Sequence, residues 1–215
     1  MPSSEQTGRL TAEAIVEAAV AIADRDGLDA VSMRRVGADL GYSGMSLYGY
    51  VRGKDELLEQ VADHILGEVP EIDSHAPWDL AVINFFTALH DVLLRHPAAA
   101  QIYTSRPTRG PNTARHGRRV LAVLTEAGMS AKTAVEAFIA LSCYTVGAAL
   151  YTTARSSADG LYEPGWIGFD DEDDASGDAL AHLWEHLAVR TGPPQFRSGL
   201  EHLVAGYATE VAGHA

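Results

Sequence analysis

Residues 32–54 hold four basic side chains, Arg34, Arg35, Arg52 and Lys54, against one acid, Asp39. That window carries a local charge of +3, while the rest of the chain carries −16 and the whole chain −13. Charges are screened over about 8 Å at physiological salt, so a basic patch attracts phosphates locally whatever the net charge. Interleaved with these cations are Gly44, Met45, Ser46, Tyr48 and Tyr50. Met45 could pack on a thymine methyl, and Ser46 could donate to or accept from several base edges. Tyr48 and Tyr50 would lie about 200° apart on an α-helix, so they cannot face the same way. Tyr48 is assigned to the groove edge or backbone and Tyr50 to a phosphate.

Two other clusters could do chemistry. His182, Glu185 and His186 fit the H-x-x-E-H pattern, which on a helix sets two imidazoles on one face with a carboxylate base beside them. A zinc-dependent hydrolase built on these three is the alternative function. Asp170-Asp171-Glu172-Asp173-Asp174 offers oxygen ligands but lacks the spaced ligands and central glycine of a calcium loop, so it reads as a solvated loop. No cofactor and no metal site is otherwise expected.

The elements that must position the basic patch are helical. Thr11 caps a first helix carrying Ile15, Ala18, Ala19, Ile22 and Ala23, ended by Gly27. Ser32 caps a second, with Val36, Ala38 and Leu40, ended by Gly41. Ser43 caps a third, whose Leu47 and Val51 fall on one face. Two helices joined by so short a turn form a helix-turn-helix that sets the second in a DNA major groove. A connecting helix is expected over 54–69, stopped by Pro70. Further helices are expected over 78–96, 112–127, 130–155, 178–189 and 196–211, with a short segment 98–105 and a loop over 159–178. No strand is expected. The fold class is all-α: an N-terminal three-helix DNA-binding unit (9–53), the connecting helix (54–69), and a larger helical domain (70–215).

Apolar stripes Val135, Phe138, Ile139, Ser142, Val146, Ala149, Leu150 and Phe196, Leu200, Leu203, Val204, Tyr207, Val211 suit either an internal core or a bundle shared by two subunits. Periodicity leaves both open. No apolar run is expected to reach the roughly 18–20 residues of a membrane span. The N-terminal MPSSEQTGRL lacks a signal-peptide core, so a cytoplasmic location without a membrane partner is expected. The single cysteine, Cys143, is expected to be a small buried residue.

Leu40-Gly41-Tyr42, the run Ser43 to Ser46, Leu47-Tyr48-Gly49-Tyr50-Val51 and Lys54 together resemble the tetracycline-repressor family of bacterial transcription regulators. Ser105-Arg106-Pro107, Thr145-Val146-Gly147 with Leu150, and Phe196 to Glu201 with Gly206 extend the resemblance. It implies a homodimer on double-stranded operator DNA, a repressor released by a small molecule, effector binding and dimerisation by the larger helical domain (70–215), and no enzyme activity. It also implies that Arg34 contacts a base from the first helix of the pair and that Gly44, Met45 and Ser46 lie nearest the base edges. Effector-pocket positions implied by the resemblance are Asn84, Phe86, Ile102, Ser105, Arg118, Phe138 and Tyr151. Ile102 stands where those repressors place a magnesium-binding His, and Tyr151 where they place a Glu from the partner subunit. Ile102 cannot bind a metal, so the expected effector is organic, partly apolar and independent of metal.

Overall fold

A computed structural model describes residues 9–157 and 193–212. Among them the ordered elements are all helical. The helices are α1 (Ala12–Asp26), α2 (Met33–Asp39), α3 (Lys54–Leu66), α4 (Trp78–Arg95), α5 (Pro97–Ser105), α6 (Pro111–Glu126), α7 (Ala131–Ser157) and α8 (Pro193–Ala212). The expected loop over 159–178 and helix over 178–189 lie outside the described residues, as do Asp170 to Asp174, His182, Glu185 and His186.

Helix starts follow local chemistry. Thr11 Oγ1 accepts the Ala14 N–H at 3.1 Å, Ser32 Oγ that of Arg35 at 3.2 Å, and Ser130 Oγ that of Thr133 at 3.1 Å. Each supplies an acceptor that the first turn of a helix lacks. Pro97 and Pro111 open α5 and α6, one residue before the expected starts, because proline at the first helical position loses no hydrogen bond. Gly27 and Gly41 end their segments with φ of 84° and 77°.

Three expectations are corrected. The segment Gly44–Gly49 is a short 3-10 helix rather than an α-helix. Its bonds run from Ser46 N–H to Ser43 O and from Tyr50 N–H to Leu47 O, both at 2.9 Å. The connecting helix ends at Leu66, three residues early: Gly67 caps it, and Glu68 and Val69 continue as a turn before Pro70. Cys143 is exposed, because it points away from the face of α7 that packs on the core.

α7 passes by length and composition as a membrane-crossing helix over Ala131–Ala154, against expectation. Here it packs against α4, α5, α6 and α8. Phe86, Leu93, Ile102, Leu124, Leu141 and Leu200 are fully buried around it and form the larger core. A second centre of burial, Ile15, Ile22, Val36, Leu47 and Leu57, ties α1, α2 and the 3-10 segment to α3.

α3 joins the two. It packs on α1 on one side and on α5 and α6 on the other. Polar bridges follow the same route. His96 presents Nδ1 at 2.8 Å to Asp24 of α1 and Nε2 at 3.1 Å to Glu68. Arg106 donates to Asp55 at 2.8 Å. Partial burial works to raise the Glu68 carboxyl, but Arg95 and His96 outweigh it and hold it below its usual range.

Candidate nucleic-acid interface and effector cavity

The 3-10 segment is fixed from behind by Leu47, which is fully buried, and by an unusually close crossing with α2. A Cβ on Gly37 would lie 2.9 Å from both Gly44 N and Tyr42 O. A Cβ on Gly44 would lie 3.1 Å from Arg34 Cα. Only glycine at both positions lets the two backbones approach this far. The Ser43 side chain caps the segment through the Ser46 N–H at 3.3 Å.

The opposite face is open. Met45 is 77% exposed, Tyr48 50% and Tyr50 44%. Arg34, Ser46 and Lys54 are exposed beside them. At 3.0 residues per turn, Tyr48 and Tyr50 still diverge, by about 240°. Of the four cations, Arg35 pairs with Asp26 at 2.9 Å and Arg52 with Glu56 at 3.1 Å. Arg34 and Lys54 make no ion pair with a described residue, so their charges stay available to an external anion. Lys54 also opens α3, whose N-terminal end is itself attractive to phosphate.

A cavity of about 230 Å³ lies in the larger core. α4 contributes Phe85, Phe86 and Leu89; α6 contributes Thr113, His116 and Gly117; α7 contributes Phe138, Ser142 and Val146. Leu66, Tyr103 and Thr108 complete the described wall. The lining is mostly apolar and aromatic with a few polar groups, as small-molecule sites generally are. Phe85 meets Phe86 edge-on at 5.3 Å and the His116 ring at the same separation.

Of the seven positions expected here, Phe86 and Phe138 line the cavity. The other five do not. Asn84 is exposed, because the turn of α4 that buries Phe85 and Phe86 rotates it to the outside. Arg118 is exposed for the same reason: α6 turns Thr113, His116 and Gly117 inward. Ser105 is exposed, its hydroxyl donating to Ile102 O at 3.1 Å. Ile102 is fully buried among core side chains, and Tyr151 is 45% exposed. His116 and Tyr103 were not foreseen. The spacing Thr113, His116, Gly117 is a helical i, i+3, i+4 face and was the available signal.

His116 is 4% exposed, and its Nε2 lies 3.1 Å from Leu66 O. Burial pushes this imidazole down, helped by Arg115, and the Leu66 carbonyl only partly offsets that. Burial, with the Asp63 charge beside it, pushes the Tyr103 phenol well up. Both groups are therefore uncharged near neutral pH. Asp63 of α3, 6% exposed, sits at the start of α6. Its Oδ1 accepts both the N–H and the hydroxyl of Thr113 at 2.8 Å, and its Oδ2 the Asn112 N–H at 3.3 Å. Asn112 Nδ2 donates to Asp63 O at 2.9 Å. The cavity helix is thus bolted to the helix that carries the DNA-facing unit.

Residues 15–61 match the family described as bacterial regulatory proteins, tetR family, and residues 73–211 match the tetracyclin repressor-like, C-terminal domain. The chain is 39% identical over 150 residues to the HTH-type transcriptional repressor DrrR1 of Streptomyces coeruleorubidus, a match over 69% of this chain and 56% of that protein. The match thus spans little more than half the length of that relative. Apo ActR from Streptomyces coelicolor superposes with a TM-score of 0.84 at 31% identity, covering 97% of this chain and 99% of that one. ActR in complex with actinorhodin superposes at 0.85, with 30% identity, over 97% and 100% of the two chains.

Proposed function

Because the chain belongs to the tetracycline-repressor family of bacterial regulatory proteins, we propose that it is a cytoplasmic, homodimeric repressor that leaves its operator when an organic molecule fills the cavity. The observation that carries this reading is the Asp63 clamp, which joins the wall of an apolar cavity to α3, the helix that the DNA-facing Lys54 opens. Arg34, Gly44, Met45, Ser46, Tyr48, Tyr50 and Lys54 form the DNA-facing set. Arg34 contacts a base from the first helix of the pair, Lys54 supplies charge to the phosphates, Gly44, Met45 and Ser46 lie nearest the base edges, and the two tyrosines meet groove edge and phosphate. Residues 9–53 act as the DNA-binding unit, 54–69 as the connector and 70–215 as the effector and dimerisation domain.

In a dimer the two recognition segments fit successive major-groove faces when they stand about 34–36 Å apart. A molecule in the cavity displaces α6 against α4 and α7, and the clamp passes that shift to α3. The spacing then departs from the DNA repeat. The effector must bind the DNA-incompatible state more tightly, or it would shift nothing. That ActR is solved with actinorhodin supports an organic effector for this chain. A metal is not part of the reading, because Ile102 is buried hydrocarbon.

The test is release. Organic molecules are screened against the protein–operator complex with and without a chelator. Release that persists with chelator supports the reading. Release by tetracycline only when magnesium is present contradicts it.

A further inference from the structure

The described wall of the cavity contains no Lys, Arg, Asp or Glu. Its hydroxyl hydrogens are mostly committed inside the protein. Ser142 donates to Phe138 O at 2.7 Å, Thr113 to Asp63 Oδ1 at 2.8 Å, and Tyr103 to Ala62 O at 3.4 Å. What these oxygens still offer is lone pairs. His116 adds an unpaired ring nitrogen. Its Nε2 lies 3.1 Å from the Leu66 carbonyl, which can only accept, and 3.3 Å from the Arg115 guanidinium, which can only donate, while Nδ1 has no partner and is open to a ligand hydroxyl in either tautomer. The nearby carboxylate of Asp63 does not line the cavity and already accepts three hydrogen bonds from the start of α6. Thr108 has the one uncommitted hydroxyl among the described lining residues.

From this inventory we propose that the cavity takes an uncharged aromatic molecule whose own hydroxyl groups donate hydrogen bonds, and that it rejects carboxylates of the same shape. The inference rests on reading the cavity as the effector site and names the chemical class that site admits. An entering carboxylate loses its water and, among the described lining residues, finds no cation and at most the Thr108 hydroxyl and one imidazole N–H as donors, which is the costly case of an unpaired buried charge. An entering hydroxyl, which can both donate and accept, meets several oxygen acceptors and the otherwise unpaired His116 Nδ1. Phe85, Phe86 and Phe138 supply ring faces and edges for the remainder.

Three probes of one shape separate the terms: 2,6-dihydroxynaphthalene, 2,6-dimethoxynaphthalene and naphthalene-2,6-dicarboxylate. Each is titrated calorimetrically into the full chain at neutral pH. The diol is expected to bind at least about tenfold more tightly than the dimethoxy compound, and the dicarboxylate to give no binding heat. Phe138→Trp, which fills the cavity, should abolish diol binding. The milder Ser142→Ala should keep the fold and narrow the gap between diol and dimethoxy compound. The proposal is overturned if the dicarboxylate binds as tightly as the diol, if the dimethoxy compound matches it, if the diol shows no binding at millimolar concentration, or if folded Phe138→Trp binds it unchanged. DNA binding by the ligand-free protein is measured in parallel. A protein that binds the diol but selects no DNA sinks the regulator reading and leaves the cavity chemistry standing; the reverse result sinks only the latter.

Discussion

Asp63 and Thr113 meet twice: one carboxylate oxygen of Asp63 accepts the Thr113 backbone N–H and its hydroxyl, each at 2.8 Å. Fifty residues apart in sequence, they join the connecting helix to the cavity helix. Gly110 completes the joint, since a Cβ there would fall 2.2 Å from Asp63 Cγ. Asp63→Ala strands three donors at the start of α6 in a buried setting. It should destabilise the fold by about 2–3 kcal/mol. Urea unfolding checks this; a change within about 0.5 kcal/mol, the range of ordinary surface substitutions, would mean the joint contributes nothing.

Arg34 and Lys54 differ from Arg35 and Arg52 in making no ion pair with a described residue. Lys54→Ala should weaken binding to all DNA sequences and lower the salt slope of log affinity by about one unit. Arg34→Ala should cost about 1–3 kcal/mol and relax one operator position. Neither should change the unfolding midpoint, because both side chains are exposed. Unchanged operator affinity in both variants removes this assignment.

His90 is fully buried on α4 and stacks on Phe196 of α8 at 3.9 Å, with both ring nitrogens unpartnered. Asp91 Oδ1, at 3.8 Å from Nδ1, is beyond hydrogen-bond range. Burial pushes this imidazole down, as it does His116, and the pull of Asp91 is the smaller effect. A folded-state value below the unfolded one means the unfolded chain takes up protons first. Stability is therefore complete above about pH 6.5, the ordinary histidine value, and is lost progressively below it. His90→Phe keeps the stack and removes the unpaired nitrogens. It should stabilise by about 1 kcal/mol and flatten the acid-side loss. Unfolding midpoints between pH 5 and pH 8 check both; an unchanged slope would mean that His90 does not contribute to it.

Val135, Ile139, Cys143 and Tyr151 form an outward stripe on α7, with Ile139 53% exposed. The α8 stripe, by contrast, packs internally: Phe196, Leu200 and Val204 are buried, and Leu203, Tyr207 and Val211 are partly buried against the core. Apolar residues at four-residue spacing on an exposed helix face suit a subunit contact. Ile139→Glu should yield monomers that keep their helical content. Sedimentation of the wild type as a monomer at micromolar concentration would remove the two-site geometry.

Much of the scaffold was legible because local chemistry sets it. Thr11, Ser32, Ser43 and Ser130 cap as their side chains allow, and Gly27 and Gly41 stop their segments. The 3-10 form of the recognition segment is not legible in the sequence, because it goes with the close Gly37–Gly44 crossing, a contact that periodicity does not carry. The cavity was the hardest part. Asn84 and Phe86 sit on one helix only two residues apart, and which of them faces inward is decided by how α4 lies on α7 and α8. Resemblance named positions, but packing chose among them. Asp63 gave no signal at all, since an acid inside a connecting helix reads as solvent-facing until its partners on α6 are in view.

Selection of one DNA sequence is the property that a repressor of this kind must show. The 215-residue chain is mixed with duplexes of random sequence, and the retained DNA is sequenced. One enriched motif is expected, an inverted repeat whose half-sites lie about one helical turn apart, lost in the Arg34→Ala Lys54→Ala double variant. Retention of DNA without an enriched sequence, or enrichment that survives the double variant unchanged, would contradict the repressor reading.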